Sequence, residues 1–251
     1  MSESLGPPGP TTASSVHADT VAEVYGRAYL HVERSGGQHG AAFLDYELED
    51  GTSYSEDAAD YFAGPESWFD ADVLACEQVR GRTLDLGCGV GRHALELMAA
   101  GHEVVGLENS PEAVAVARRR GVDPRQGDLF DPPRGLGSFD TLLLLGINFA
   151  LVCNSPNHAA AFRRLAAIAN PGAQLLGSDM RAPIPQQSPR LRVRFRSGAE
   201  RSEWSSWQGG KPWTPPERLS DLVDGTGWHV ADIQEASNSD NTFLTVLRLA
   251  D

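Results

Sequence analysis

The stretch TLDLGCGVGR, Thr83 to Arg92, sets the reading of the whole chain. Thr83–Leu86 reads as a short buried strand, and Gly87, Gly89 and Gly91 follow at alternate positions. Glycines there permit a tight turn and let backbone approach a ligand where any Cβ would intrude. A helix from Arg92 to Ala100 comes next, so its first free N–H groups point back at the same place. Asp85 stands just ahead of the glycines. A loop shaped for a pyrophosphate gains nothing from a facing carboxylate, whereas a loop shaped for an ammonium group does.

Working outward, the pattern repeats. Glu103–Leu107 is a second strand, and Pro111–Arg120 a helix with Ser110 as its N-cap. Pro124–Gln126 is a short third strand. Phe139–Leu145 is a continuous apolar run, as expected of a strand buried on both faces. A helix from His158 to Ala169, a stop at Asn170-Pro171-Gly172 and a strand from Gln174 to Asp179 follow. Strands alternating with helices imply βαβ units and a doubly wound parallel sheet.

The flanks read differently. Asp19 is the expected cap of a helix from Thr20 to Glu33, with Val21, Val24, Tyr25, Ala28, Tyr29 and Val32 on one face. Residues 41–80 read as irregular and helical pieces ending in a helix from Glu66 to Val79. Leu191–Trp207 alternates with period two around Ser197-Gly198 and predicts a β-hairpin. A helix near Pro216–Gly225 and strands His229–Gln234 and Phe243–Leu249 close the chain. The division is a disordered tail (1–19), a helical N-terminal cap (20–80), a ligand-binding core (81–180), a hairpin insertion (181–214), and a closing helix and strands (215–251).

The 251 residues carry a formal net charge of −13. Such a surface repels phosphate backbones, so nucleic acid is not an expected partner. No apolar run reaches the roughly 20 residues that cross a bilayer, so no membrane role is expected. The Pro-, Gly- and Ser-rich first twenty residues lack the basic and apolar regions of a signal peptide. Cys76, Cys88 and Cys153 are far apart and without metal-ligand spacing. They read as free thiols of a cytoplasmic protein, with no metal site.

The ends of successive strands carry the chemistry. Glu108 closes the second strand, where a carboxylate accepts from both hydroxyls of a ribose, and Asn109 stands beside it. Asp128 follows the third strand and suits an adenine amino group, with the Leu129 backbone on the ring edge; its alternative is a turn residue. Ribose recognition alone serves NAD and S-adenosylmethionine (SAM) alike. The dinucleotide fingerprint fails from Gly87, where Arg92 replaces the third glycine; from Gly89 it ends at Ala94, a permitted variant, so NAD stays open. The spacing D-L-G-C-G-V-G and the acid at Asp85 fit SAM, whose amino-acid end carries an ammonium and no phosphate.

From Arg82 to Leu176 the chain resembles the class I SAM-dependent methyltransferases. TLDLGCGVG matches their first motif, VVGLENS the second, GDLF the third, FDTLLLLGIN the fourth, and LAAIANPGAQLLGSD the helix and strand beyond. The family usually has Asp where Glu108 stands and Gly where Ala173 stands. The tail, TPPERLSDLVDGTGWHVADI and then FLTVLRL, is similar to the family's last helix and closing strands. The resemblance implies a Rossmann-like seven-stranded sheet with its last strand antiparallel, SAM as donor and S-adenosylhomocysteine (SAH) as product. It also implies that an aromatic near Tyr25 or Tyr29 closes over the methionine end. Asp85, Gly87, Cys88, Gly89, Glu108, Asn109, Asp128, Leu129 and Leu145 complete the expected donor contacts.

The acceptor is expected beyond the fourth strand, at Gly146–Val152. Asn148 is the polar candidate there for orienting it, or else a residue that satisfies backbone groups in a tight turn. His158 is a second catalytic candidate, against a plain role in the first turn of a helix. His93 reads as packing near the cofactor in preference to acting as a base, and His39 as a residue of a Gly-rich loop in preference to a mobile base. Trp204, Trp207 and Trp213 suit an apolar acceptor or a homodimer contact. Arg192, Arg194 and Arg196 share one strand face, read as solvated in preference to a docking surface for an anion. The expectation is methyl transfer to O or N of a small molecule. The rivals are a SAM-binding protein that catalyses other chemistry such as cyclisation, a regulator, and an NAD-dependent oxidoreductase.

Overall fold

The computed structural model describes residues 18–146, 148–181, 190–209, 214–236 and 241–250. Most of the N-terminal tail, Ile147, Trp213 and part of the insertion lie outside the described residues.

Helix α1 (Val21–Arg34) is capped by Thr20 and not by Asp19. The Thr20 hydroxyl accepts from the Glu23 N–H, and the Glu23 carboxylate accepts from the Thr20 N–H, a reciprocal cap worth about 1 kcal/mol. Asp19 instead pairs with Arg27. The next segment departs from a purely helical cap. Strands β1 (Phe43–Leu48) and β2 (Ser53–Asp57) pair antiparallel where irregular and helical pieces were expected. Leu44 and Tyr46 turn to one side and Asp45 and Glu47 to the other, the period-two signature of a half-buried strand. Helix α2 (Asp70–Glu77) begins later than expected, because Pro65–Ser67 is a separate 3-10 turn, and ends before Val79.

The core follows the expected alternation: β3 (Thr83–Leu86), α3 (Arg92–Ala99), β4 (Val104–Glu108), α4 (Pro111–Arg119), β5 (Asp123–Gln126) and β6 (Phe139–Leu144). Helix α5 (Asn148–Cys153) was not expected; it precedes α6 (His158–Ala167) and β7 (Ala169–Met180). Beyond these lie β8 (Leu191–Ser197), β9 (Glu200–Arg201), α7 (Leu219–Val223), β10 (Trp228–Glu235) and β11 (Thr242–Leu249).

The large sheet has seven strands in the order β10-β11-β7-β6-β3-β4-β5. Strand β11 is antiparallel to both neighbours, and the strands from β7 to β5 run parallel. Strand order reverses at β3, which pairs with β4 on one side and β6 on the other. In such sheets ligands bind beyond the carboxyl ends at that point. Strand β6 explains its own apolar run. Leu142 and Leu144 enter one core with Phe149, Phe162 and Phe243; Leu143 enters the other with Ala94, Leu97 and Val104. Each fully buried leucine or phenylalanine contributes about 1.5–3 kcal/mol.

The insertion is not a free-standing hairpin. Strand β8 pairs with β1, and β9 extends the order to β2-β1-β8-β9, a second antiparallel sheet. Its inner face, Leu44, Tyr46, Val193 and Phe195, packs on Val24, Ala28 and Val32 of α1. Its outer face carries the three arginines. Arg192 pairs with Glu47, and Arg194 and Arg196 with Asp45. Trp204 lies 4.8 Å from Arg192 and 4.3 Å from Arg194. The guanidinium groups are thus neutralised across the strand pair, as a solvated face requires.

Candidate active site

The turn after β3 is held from beneath. The N–H groups of Gly87 and Cys88 donate to the Leu107 carbonyl at 2.7 and 3.1 Å, which ties the loop to β4. Gly87 has φ +73°, and a Cβ there would lie 2.6 Å from Asn148 Nδ2. Gly89 has φ +54°, and its Cβ position meets nothing nearer than the Tyr29 hydroxyl at 3.7 Å. One glycine therefore serves the packing of the loop, and the other leaves a cradle open above it. Gly87→Ala is expected to combine backbone strain with that clash. It should lower the melting temperature and weaken ligand binding at least tenfold, as differential scanning fluorimetry and calorimetric titration would read.

Asp85 projects from β3 and is 2% exposed. Its Oδ2 is buried and has no hydrogen-bond partner among the described residues. Burial pushes its carboxyl up to about 6, with Asp72 and Glu108 adding to the rise and His93 and Arg92 opposing it. A buried, unpaired carboxylate is costly in an empty protein, and it fits a cationic ligand. Glu108 ends β4 with Oε2 accepting from the Gly89 N–H at 3.0 Å and Oε1 from the Ser110 N–H at 2.8 Å. Burial raises its carboxyl despite these two bonds. A carboxylate has about four acceptor positions, so two remain for ligand hydroxyls.

The other expected contacts divide. Tyr29 stands over Gly89, whereas the Tyr25 hydroxyl turns to Tyr46 at 2.5 Å in a cluster with Glu56 and Tyr61. Burial raises the Tyr25 phenol to about 12. Cys88 is buried with its thiol against Gly106 of β4, and burial pushes that thiol up. Asn109 is exposed beside Glu108. Asp128 is exposed and accepts from the Phe130 N–H at 2.9 Å, the geometry of a turn residue. Leu129 packs at the edge of one core, and Leu145 is buried in the other. Asn148 donates to the Leu86 and Gly87 carbonyls at 3.2 and 3.1 Å, which braces the glycine turn. His158 bonds the Ser155 carbonyl in its own turn, and His39 lies on the surface beside Asp57 and Asp60. Neither histidine joins the cluster around Asp85.

Sequence reasoning missed a group from α2. Asp72 is fully buried. Its Oδ1 accepts from the Ser178 hydroxyl at 2.5 Å and the Gly146 N–H at 3.2 Å, and its Oδ2 lies 3.5 Å from Arg92 and 3.4 Å from His93. The His93 nitrogen lacks the alignment of a hydrogen bond. Asp72 thereby joins α2, α3 and the ends of β6 and β7. The signal was present: Asp72, Ala75, Cys76 and Val79 fall at helical spacing, which puts one charge in line with an apolar face.

Comparison with known proteins bears on this geometry. Residues 83–172 match the family model described as "Methyltransferase domain". The matched segment is about a third of the chain and holds the glycine turn, Glu108 and Asn148. Over 60 residues it is 50% identical to a 23S rRNA uracil C5-methyltransferase of Shewanella woodyi, a match covering 24% of this chain and 12% of that relative. A SAM-dependent methyltransferase from Bacteroides fragilis, solved with SAH, is 21% identical over 94% of this chain and 100% of its own, with a TM-score of 0.75. The sugar N-methyltransferase KedS8 from a Streptoalloteichus species is 18% identical over 98% of this chain and 100% of its own, with a TM-score of 0.59. At these identities the solved structures establish the fold alone.

Proposed function

We propose that the chain is a SAM-dependent methyltransferase acting on an oxygen or nitrogen of a small molecule. The observation that carries this reading is the unpaired, buried Asp85 carboxylate above a glycine cradle in a methyltransferase domain. The cradle and the orphaned oxygen fit a donor with an ammonium end and no phosphate. SAM supplies a methyl group already activated on a sulfonium, open to in-line displacement. The protein's own task is then to hold and orient. Asp85 receives the ammonium, Glu108 the ribose hydroxyls, and Asn148 keeps the turn in place through the Leu86 and Gly87 carbonyls. Tyr29 roofs the cradle and excludes water.

The net charge of −13 and the paired arginines of the second sheet favour a small acceptor over a polyanion. The structural neighbour KedS8, a sugar N-methyltransferase, accords with that class. Expected in a thermal shift assay is stabilisation by SAM and SAH, about 2.7 kcal/mol at a hundredfold excess over Kd. Stabilisation by NAD in their place would sink the reading. Mass spectrometry of candidate acceptors incubated with SAM would show a methyl increment.

A further inference from the structure

We propose that the Glu56 carboxylate, set among tyrosines beside the cradle, receives the ammonium group of the methyl acceptor, so that the acceptor is a cationic amine. This deepens, and rests on, the methyltransferase reading above.

All five tyrosines of the chain gather in one cluster: Tyr25 and Tyr29 on α1, Tyr46 on β1, Tyr54 on β2, and Tyr61 in the 3-10 turn that follows (Ala58–Phe62). Tyr25 and Tyr61 meet edge to face at 5.8 Å, Tyr29 and Tyr61 lie 5.4 Å apart, and Tyr54 stacks on Tyr46 at 4.7 Å. Glu56 of β2 is the carboxylate they share. The hydroxyls of Tyr46 and Tyr61 both donate to its Oε2, at 3.0 and 2.9 Å, and Tyr25 reaches it through Tyr46. Burial pushes the Tyr46 and Tyr61 phenols well up, so they stay protonated and serve as donors.

Glu56 is half-buried. Its Oε1 has no hydrogen bond, and the carboxylate no ion pair, among the described residues. A carboxylate partly withdrawn from water gains from a cation, and aromatic faces within about 6 Å attract one as well. Among the described residues no three His, Cys, Asp or Glu side chains converge as a metal ion requires, so the chemistry fits an organic ammonium. Tyr29 ties the cluster to the donor cradle. It is 4% exposed, its hydroxyl makes no hydrogen bond among the described residues, and that hydroxyl stands 3.7 Å from the Cβ position of Gly89. Burial raises its phenol; Tyr25, Glu108 and Glu56 add to the rise and Arg92 opposes it, so Tyr29 feels both the acid that ends β4 and Glu56. The acceptor anchor and the donor cradle are neighbours across one ring.

The test is a ligand-observed NMR titration of the SAH-loaded chain at neutral pH with benzylamine and benzyl alcohol, which share a ring and differ in charge. The native chain is expected to bind the amine about tenfold more tightly than the alcohol. Glu56→Gln keeps an oxygen for the two phenols and removes the charge. It should bind both probes alike, with SAH affinity changed less than about twofold. Glu217→Gln, at an exposed acid elsewhere, controls for net charge and should keep the native preference. If Glu56→Gln does not fold, Glu56→Asp decides, because it draws the carboxylate back by one methylene and should diminish the preference. The proposal is overturned by equal binding of the two probes to the native chain, by no binding of the amine, by a preference that survives undiminished in the Glu56 variant, or by one lost equally in Glu217→Gln. Each of these leaves the methyltransferase reading intact. Failure of the native chain to bind SAH overturns both.

Discussion

Asp85→Asn is expected to melt at a higher temperature than the native protein and to lose SAH affinity by at least about tenfold. The two effects have one cause. The native carboxyl is buried and unpaired, and its folded value of about 6 lies above the ordinary 3.8. A raised carboxyl destabilises the fold wherever it is ionised. The penalty is full above about pH 6, shrinks as pH falls through that value, and is gone below 3.8. Two units correspond to about 3 kcal/mol at most. For a chain of this size that is a shift of about 5–10 °C. The gain from Asn should therefore be largest at neutral pH and vanish near pH 4. In the native chain, SAH affinity should decline as pH falls below about 6, because the protonated group no longer attracts an ammonium. A lower melting temperature for the Asn variant, together with unchanged affinity, would remove Asp85 from the site.

Asp72→Ala is expected to have the opposite effect on the fold, costing about 3–5 kcal/mol. It removes one fully buried carboxylate and strands four groups: the Ser178 hydroxyl, the Gly146 N–H, Arg92 and His93. Burial alone would raise the Asp72 carboxyl, but the neighbouring His93, Ser178 and Arg92 outweigh it and hold the group below 3.8. Its contribution is therefore present above 3.8 and lost as pH falls below that value. Urea unfolding of native and variant chains at pH 7 checks the size, and repetition toward pH 3 checks the sign. A loss under about 1 kcal/mol at pH 7 would show that α2 docks by its apolar face alone.

The contrast between these two acids shows what the sequence could disclose. The core was legible because β3, β4 and β6 carry local signals: apolar runs, a glycine turn, Ser110 before Pro111. Asp85 and Glu108 were legible as candidates because ligands bind beyond strand ends at a switch point. The second sheet was legible only in part. The alternation of β8 was visible, but its partner β1 is far away in the chain, and no local pattern announces a pairing of that range. The alternation of Leu44, Asp45, Tyr46 and Glu47 was also present, obscured by the irregular turns around it. Asp72 and Arg92 meet only through the packing of α2 against α3, so their roles required the fold. Asp128 carries both of its expected features: it is an exposed acid after β5, and it accepts from the Phe130 N–H of its own turn.

The second sheet has a consequence for how the molecule is made. Arg192 and Glu47 are 145 positions apart in the chain, yet they sit on adjacent strands. During synthesis, β1 and β2 leave the ribosome long before β8 exists. A two-stranded ribbon alone is marginal in water. Strands β3 to β7 lie between the two halves in the chain, so the loop that their pairing closes is long. The second sheet therefore waits for β8, as the large sheet waits for β10 and β11, and a chain that ends before Leu191 lacks the strands that complete both.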